Sequence, residues 1–344
     1  MSYQRGLAAI SLEMPDKVPH TEYISDRQYI IEKLGLDMDS PEDAGKVGPA
    51  LARYLDYDFI WSTFGYDFGT PRAHMGRARY SETETLTRAY YPFDTVEEVL
   101  SYDPYAQADK LPSIEELTEA VRGSYEAGKA AYPEAIFPGG FYNTIFTWPI
   151  LTFGWDLFMQ AAMDDMDRFD KVMESFFKIT MMVVEAHIRA QVPYYLCHDD
   201  IVWASGTVFA PEWMRTYVFP RLKRLMTPLR EAGIKVWFCS DGNFDEYVDD
   251  IADCGAQGFI FEPLTSLEYI VEKYGKTHVI VGNADCRVLM SNDREKIRAE
   301  VKRCMDLGKP CPGFFLAVGN HIPFNVPIQA VDWYMEAFEE MRGR

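Results

Sequence analysis

Cysteine is scarce in this chain: there are six in 344 residues, at positions 197, 239, 254, 286, 304 and 311, and no two form a Cys-x-x-Cys pair. So sparse a set in so long a chain is not a disulfide framework; most are expected to be small core residues. Positive charge is short as well. Thirty-four Lys and Arg face 53 Asp and Glu, for a net charge of −19, which argues against nucleic acid as a partner. No apolar run approaches the ~20 residues that cross a bilayer, and Met1–Leu7 opens no apolar signal-peptide core. The expectation is a cytoplasmic protein with no membrane partner. GxGxxG, P-loop, HExxH and Gly-x-Ser-x-Gly patterns are all missing. No low-complexity linker divides the chain, so residues 1–344 read as one domain.

What is present is apolar material, 48% of the residues, arranged from Val192 onward in a regular rhythm. Apolar, non-alternating strands are expected at Tyr194–His198, Val236–Cys239, Gly258–Phe261, Val279–Gly282 and Phe314–Val318. Helices are expected at 211–232, 244–254, 266–274, 293–307 and 328–341. Such alternation implies a parallel sheet covered on both faces. Five strand–helix units, with further strands near 23, 60 and 137, predict an α/β fold of the (β/α)8 TIM-barrel type. Upstream, helices are expected from Asp26 to Leu34, 41–55, 95–102, 114–132 and through a long zone at 157–190. Residues 1–90 otherwise read as irregular.

The stretch Lys235–Asn243 organises the functional reading. Val236, Trp237 and Phe238 favour a buried strand, and Gly242-Asn243 supplies a tight exit. Cys239 and Asp241 are two apart and so share a face. In a barrel, strand C-termini build the active site. There the chain places His198, Asp199 and Asp200, then Cys239 and Asp241, then Glu262, then Asn283 and Asp285, and last Asn320 and His321. Of Asp199 and Asp200, one is expected to face the barrel and the other to cap loop backbone.

Two chemistries fit this set. Zinc would take Cys, His and carboxylate ligands and keep a position open, with Cys239, Asp241, Glu262 and His321 as its expected ligands. Without a metal, the carboxylates would move protons, with Asp200, Asp241 and Glu262 as catalytic groups. The loop Gly65–Arg77 carries Arg72, His74 and Arg77, which suit an anionic part of a substrate. Trp61, Tyr66, Phe68, Phe141, Tyr142, Phe146 and Trp148 could line an aromatic mouth. Phe141, Tyr142, His198, Asn283 and Asn320 join the substrate-binding candidates.

Several motifs carry a resemblance. His198-Asp199-Asp200 is followed by Ala210-Pro211-Glu212-Trp213 and Phe219-Pro220-Arg221-Leu222-Lys223. Ser240-Asp241-Gly242-Asn243 and Gly319-Asn320-His321-Ile322-Pro323, with Pro327, complete the series. In order and spacing this resembles the uroporphyrinogen decarboxylase superfamily, including its corrinoid-dependent methyltransferase branch, over roughly residues 190–340. The N-terminal turn Pro15–Pro19 fits more loosely. The resemblance implies a (β/α)8 barrel. The Arg-Gln-Ala-Gly-Arg stretch of true uroporphyrinogen decarboxylases is absent from residues 1–60, which argues against porphyrinogen decarboxylation. In the zinc methyltransferases a His-x-Cys pair and a late Cys form the metal triad. Cys239, Asp241 and Asn320 stand at those three positions here, so every member is substituted.

The resemblance therefore implies a methyltransferase that moves a methyl group from a small methylated donor, such as an aromatic methyl ether, to a corrinoid on a partner protein, with zinc at the barrel mouth. The alternatives are a metal-free lyase acting on a carboxylated substrate held by Arg72, His74 and Arg77, and a binding protein that has lost its chemistry. Relatives are often dimers, so a homodimer is expected.

Overall fold

The computed structural model describes residues 1–70, 91–107 and 111–344. Its centre is a parallel sheet of six strands: β1 (Gly139–Tyr142), β2 (Tyr194–His198), β5 (Lys235–Ser240), β6 (Gly258–Phe261), β7 (Val279–Val281) and β8 (Phe314–Phe315), paired in that order. The two remaining strands, β3 (Val202–Trp203) and β4 (Gly206–Thr207), form a small antiparallel hairpin beside the mouth.

Two extended segments close the sheet into a ring. Phe59 bridges Ile136 and Phe64 bridges Phe141 on the β1 side, while His20 bridges Leu316 and Ile24 bridges Ile322 on the β8 side. The two segments then meet, the Asp58 amide donating to the His20 carbonyl at 2.8 Å. The result is an eight-membered α/β barrel of the TIM type, with helices outside. The strands expected near 23, 60 and 137 are thus present, two of them as bridged segments rather than full strands. The first segment also holds Glu22, which is buried and accepts from the Val318 amide and the Tyr334 hydroxyl.

Alternation along each strand divides the core in two. Phe59, Ile136, Leu196, Trp237, Cys239, Ile260, Val279, Val281, Phe315 and Ala317 fill the barrel, while their neighbours in sequence pack outward against the helices. The N-terminus is more regular than expected. Helix Tyr3–Ile10 is capped by the Ser2 hydroxyl and sends Ala9 and Ile10 into the interior cluster. The Lys235 ammonium anchors its end on the Ile10 carbonyl at 2.7 Å. The base of the barrel is stopped by this helix.

Two expected helices are broken, each for a local reason, and a short one is added. The zone 157–190 resolves into Thr147–Asp164 and Met166–Ala190, because the Asp165 carboxylate accepts from the Arg168 amide and starts a new helix. The stretch 211–232 splits at Val218, and Pro220 then occupies the first turn of Phe219–Glu231. A short helix, Cys286–Met290, precedes Arg294–Gly308. Among the described residues, no helix is long and apolar enough to cross a membrane.

Candidate active site

The register between β2 and β5 sets His198 directly beside Cys239. One pleat further, both chains leave the sheet with an aspartate. Asp200 Oδ1 lies 3.1 Å from His198 Nε2 and accepts the Asp241 amide at 2.9 Å. Ligand atoms of His198, Asp200 and Asp241 all lie within 4.8 Å of one another.

Asp199 points the other way. Fully buried, it accepts from the amides of Ile145, Phe146 and Thr147, each at 2.8 Å, and from the Thr144 hydroxyl. It is the loop cap of the pair and Asp200 is the inward member. By holding residues 144–147, Asp199 also steadies the chain just after Tyr142.

The next shell stands on the turns. Gly242 has φ +86°, and a Cβ there would sit 2.8 Å from the Trp203 carbonyl oxygen. This turn presents the Gly242 amide to Glu262 Oε1 at 2.6 Å. Gly319, with φ +79°, passes so close to the Phe261 carbonyl that a side chain would collide with it. Asn320 consequently reaches Glu262 Oε2 at 3.4 Å, and its own oxygen meets His321 Nδ1 at 2.8 Å. Glu262 thus holds both turns in place.

The electrostatics follow from burying three carboxylates beside one imidazole. Burial raises the Asp241 carboxyl and the neighbouring Asp200 raises it further, to about 7. Burial opposes the charge on Asp200 too, but the His198 ring and its hydrogen bond hold that carboxyl below its usual range. His198 is disfavoured as a cation by burial, yet Cys239 and Asp200 outweigh this and hold its proton affinity well above normal. The cluster therefore keeps an ionised Asp200 against a charged His198, with Asp241 able to give or take a proton near neutral pH.

Aromatic rings wall the site. His198 is flanked by Tyr142 at 4.2 Å and Trp61 at 5.5 Å between ring centroids. Tyr23 meets Trp61 at 6.0 Å and His321 at 6.3 Å. The expected aromatic mouth is redrawn accordingly. Trp61 and Tyr142 belong to it, whereas Phe141 is on the opposite side of β1, packed against Phe68 and Trp148. Tyr66 stacks on the same outer group through Phe68, and Phe146 packs on Phe158. Phe141 is a core residue, because strand alternation sends it outward where Tyr142 goes inward.

Asn283 is also turned away. The chain passes through Gly282 at φ +146°, and the buried Asn283 amide donates to the Thr265 carbonyl and accepts from Arg303. Asp285 caps the helix at 286–290 and pairs with Arg287. Of the expected metal set Cys239, Asp241, Glu262 and His321, only Asp241 enters the tight group; its companions are His198 and Asp200. Cys239 stands beside His198 in the barrel interior but outside the converging group, Glu262 is engaged by the turns, and His321 stands at the rim. Arg72, His74 and Arg77 lie outside the described residues.

His198 as a possible ligand and Tyr23 as a wall residue were not expected. The signal for His198 was available, since the spacing His198-x-Asp200 repeats that of Cys239-x-Asp241 on the neighbouring strand. Nothing local marks Tyr23, which is placed by closure of the barrel.

Comparison with known proteins places this geometry in context. A family model described as Uroporphyrinogen decarboxylase (URO-D) matches residues 40–341. Among solved structures, a methyltransferase from Methanosarcina mazei superposes with a TM-score of 0.68 at 20% identity, covering 98% of each chain. A D-psicose 3-epimerase crystallised in the presence of D-fructose gives a TM-score of 0.39 at 10% identity, over 86% of this chain and 92% of its own. That value is too low to carry an argument. No curated protein matches the sequence.

Proposed function

The chain belongs to the uroporphyrinogen decarboxylase family, and within that family we propose that it is a methyltransferase working as a single barrel domain in the cytoplasm. It takes a methyl group from a small methylated donor, for which an aromatic methyl ether is the best fit, and delivers it to a corrinoid carried by a partner protein. One observation carries this reading. The His198, Asp200 and Asp241 side chains converge at the barrel mouth under a wall of Trp61, Tyr142 and Tyr23.

Each part of the site has a task in such a transfer. The aromatic wall binds the apolar body of the donor and keeps water from the scissile bond. Methyl transfer from an ether leaves an electron pair on oxygen, and that charge has to be stabilised as the carbon–oxygen bond breaks. His198, Asp200 and Asp241 would hold a zinc ion, which as a Lewis acid supplies that stabilisation. Asp200 orients the His198 ring, and Asp199 fixes the loop from 144 to 147, whose Thr147 hydroxyl accepts from the Asp200 amide at 2.9 Å. Glu262 and Asn320 hold the two turns that frame the opening.

The test is direct. Incubation with methoxyarenes and reduced free corrinoid, or a corrinoid protein, should produce methylcobalamin, read from its visible spectrum, together with the free phenol. Absence of both, with carbon dioxide released from a carboxylated substrate and full resistance to chelation, would establish the metal-free lyase instead. One feature favours that second reading: an Asp241 carboxyl titrating near 7 suits proton transfer at carbon.

A further inference from the structure

The substituted family triad leaves open what holds an ion in this chain. We infer that His198, Asp200 and Asp241 bind one divalent metal ion through nitrogen and oxygen alone, with no thiolate ligand. Binding of the ion stands independently of the methyltransferase reading; only its use in methyl transfer rests on that reading.

Three observations lead there. Ligand atoms of the three side chains lie within 4.8 Å of one another. Metal bonds of about 2.1 Å set the ligands of one ion roughly 3–4 Å apart, so small rotations of two carboxylates complete the approach. Second, His198 is 5% exposed and already turns Nε2 toward the carboxylates, 3.1 Å from Asp200 Oδ1, so a buried ring nitrogen faces the space where an ion would sit. Third, the charge balance asks for a cation. Among the described residues, Asp200 and Glu262 both act on Asp241 as like charges, opposed by the His198 ring and the Asn320 side chain, in a recess where charges are weakly screened.

The donor chemistry sets the class of ion. One imidazole and two carboxylates suit borderline and hard divalent ions such as zinc, cobalt, iron and manganese, not the soft ions that thiolates select. Three protein ligands leave positions open to solvent or substrate, as catalytic sites require. The site is also pre-organised. Tyr142 and Trp61 hold the His198 ring at 4.2 and 5.5 Å, and the Asp241 amide holds Asp200 at 2.9 Å. Cys239 stands beside His198 and belongs to the interior cluster with Leu196, Trp237 and Ile260, but its sulfur is not among the converging ligand atoms.

Cobalt(II) distinguishes the alternatives, because a thiolate ligand produces an intense sulfur-to-cobalt charge-transfer band and nitrogen–oxygen sites do not. The full chain, stripped with chelator, is titrated with Co2+ and Zn2+ by absorbance and calorimetry. The expected result is one ion per chain, visible d–d bands and no charge-transfer band. Cys239→Ser should leave affinity and spectrum unchanged. His198→Ala and Asp241→Asn should each weaken binding about 100-fold or more, with near-ultraviolet circular dichroism confirming that both remain folded. A charge-transfer band that disappears in Cys239→Ser would overturn the proposal, as would the lack of saturable binding of either ion by the wild-type chain. Saturable binding without methyl transfer would instead remove the proposed function and leave this site standing.

Discussion

Two groups of acids lie at opposite ends of this barrel, one centred on a fully buried carboxylate and one half-buried, and they are built on opposite principles. At the base, Asp58 has no exposed side-chain surface and accepts from the amides of Ser2 and His20, from Arg5 at 3.1 Å and from Arg342 at 3.4 Å. Arg342 is itself 1% exposed and also reaches Asp56 at 2.6 Å. Every charge there has an opposite partner. At the mouth, Asp200, Asp241 and Glu262 share one imidazole, and like charge drives the Asp241 carboxyl upward. Burial alone therefore does not mark a functional residue. Burial with unbalanced charge does, because such an arrangement lowers stability and persists where it serves another end.

The contrast can be broken in order of effect. Asp241→Asn should reduce methyl transfer by about 1,000-fold or more, as loss of a group acting in the transition state does, while the melting temperature holds or rises. Asp58→Asn should do the reverse. Removing the fully buried carboxylate that Arg342 and Arg5 share should cost about 3–5 kcal/mol of stability in denaturant melts, with kcat of the folded fraction unaltered. If both variants lost stability alike, the two acid groups would be equivalent and the distinction would fall. Asp199→Ala lies between them. Removing the acceptor of three buried amides should cost about 2–4 kcal/mol and also lower activity, since the Thr147 hydroxyl holds the Asp200 backbone.

The pH dependence sharpens the same comparison. Asp241 is raised in the folded chain from an ordinary 3.8 to about 7, so the folded state binds the extra proton. Its contribution is therefore neutral below about pH 4, falls as pH rises toward 7, and is a constant penalty above. In chelator-treated protein that loss should amount to about 1–3 kcal/mol, allowing for partial exposure, and it should vanish in Asp241→Asn. Smallest is Trp61→Ala, which should raise KM for an aromatic donor about tenfold with little change in kcat. A fall in kcat alone would place Trp61 against the reacting atoms instead of the donor's body.

Much of this was legible in the chain itself. From Val192 on, apolar runs separated by helical periods specify the strands within a residue or two, except that the last ends at Phe315 instead of Val318, because each strand is buried on both faces and cannot shift register. The inward pair Cys239 and Asp241 follows from the same period of two. What sequence could not supply depended on neighbours. Phe141 and Tyr142 look interchangeable until β1 is oriented, and Gly282 redirects Asn283 in a way no alternation rule anticipates. Asp199 and Asp200 are distinguished only by the amides of residues 145–147, more than fifty positions away. The tight group was illegible for the same reason: Asp241 converges with His198 and Asp200 from the neighbouring strand β2 while Glu262 and Asn320 act on it from the later strands.

The helix that stops the barrel at Ala9 and Ile10 has a kinetic meaning. With the base sealed, the proposed methyl transfer would bring donor, demethylated product and corrinoid through the same mouth in turn. A bulky partner seated over that mouth bars the donor from entering and the product from leaving. Turnover is then compulsory in its order: donor in, partner on, partner off, product out. An excess of partner protein should slow the reaction by keeping the door shut.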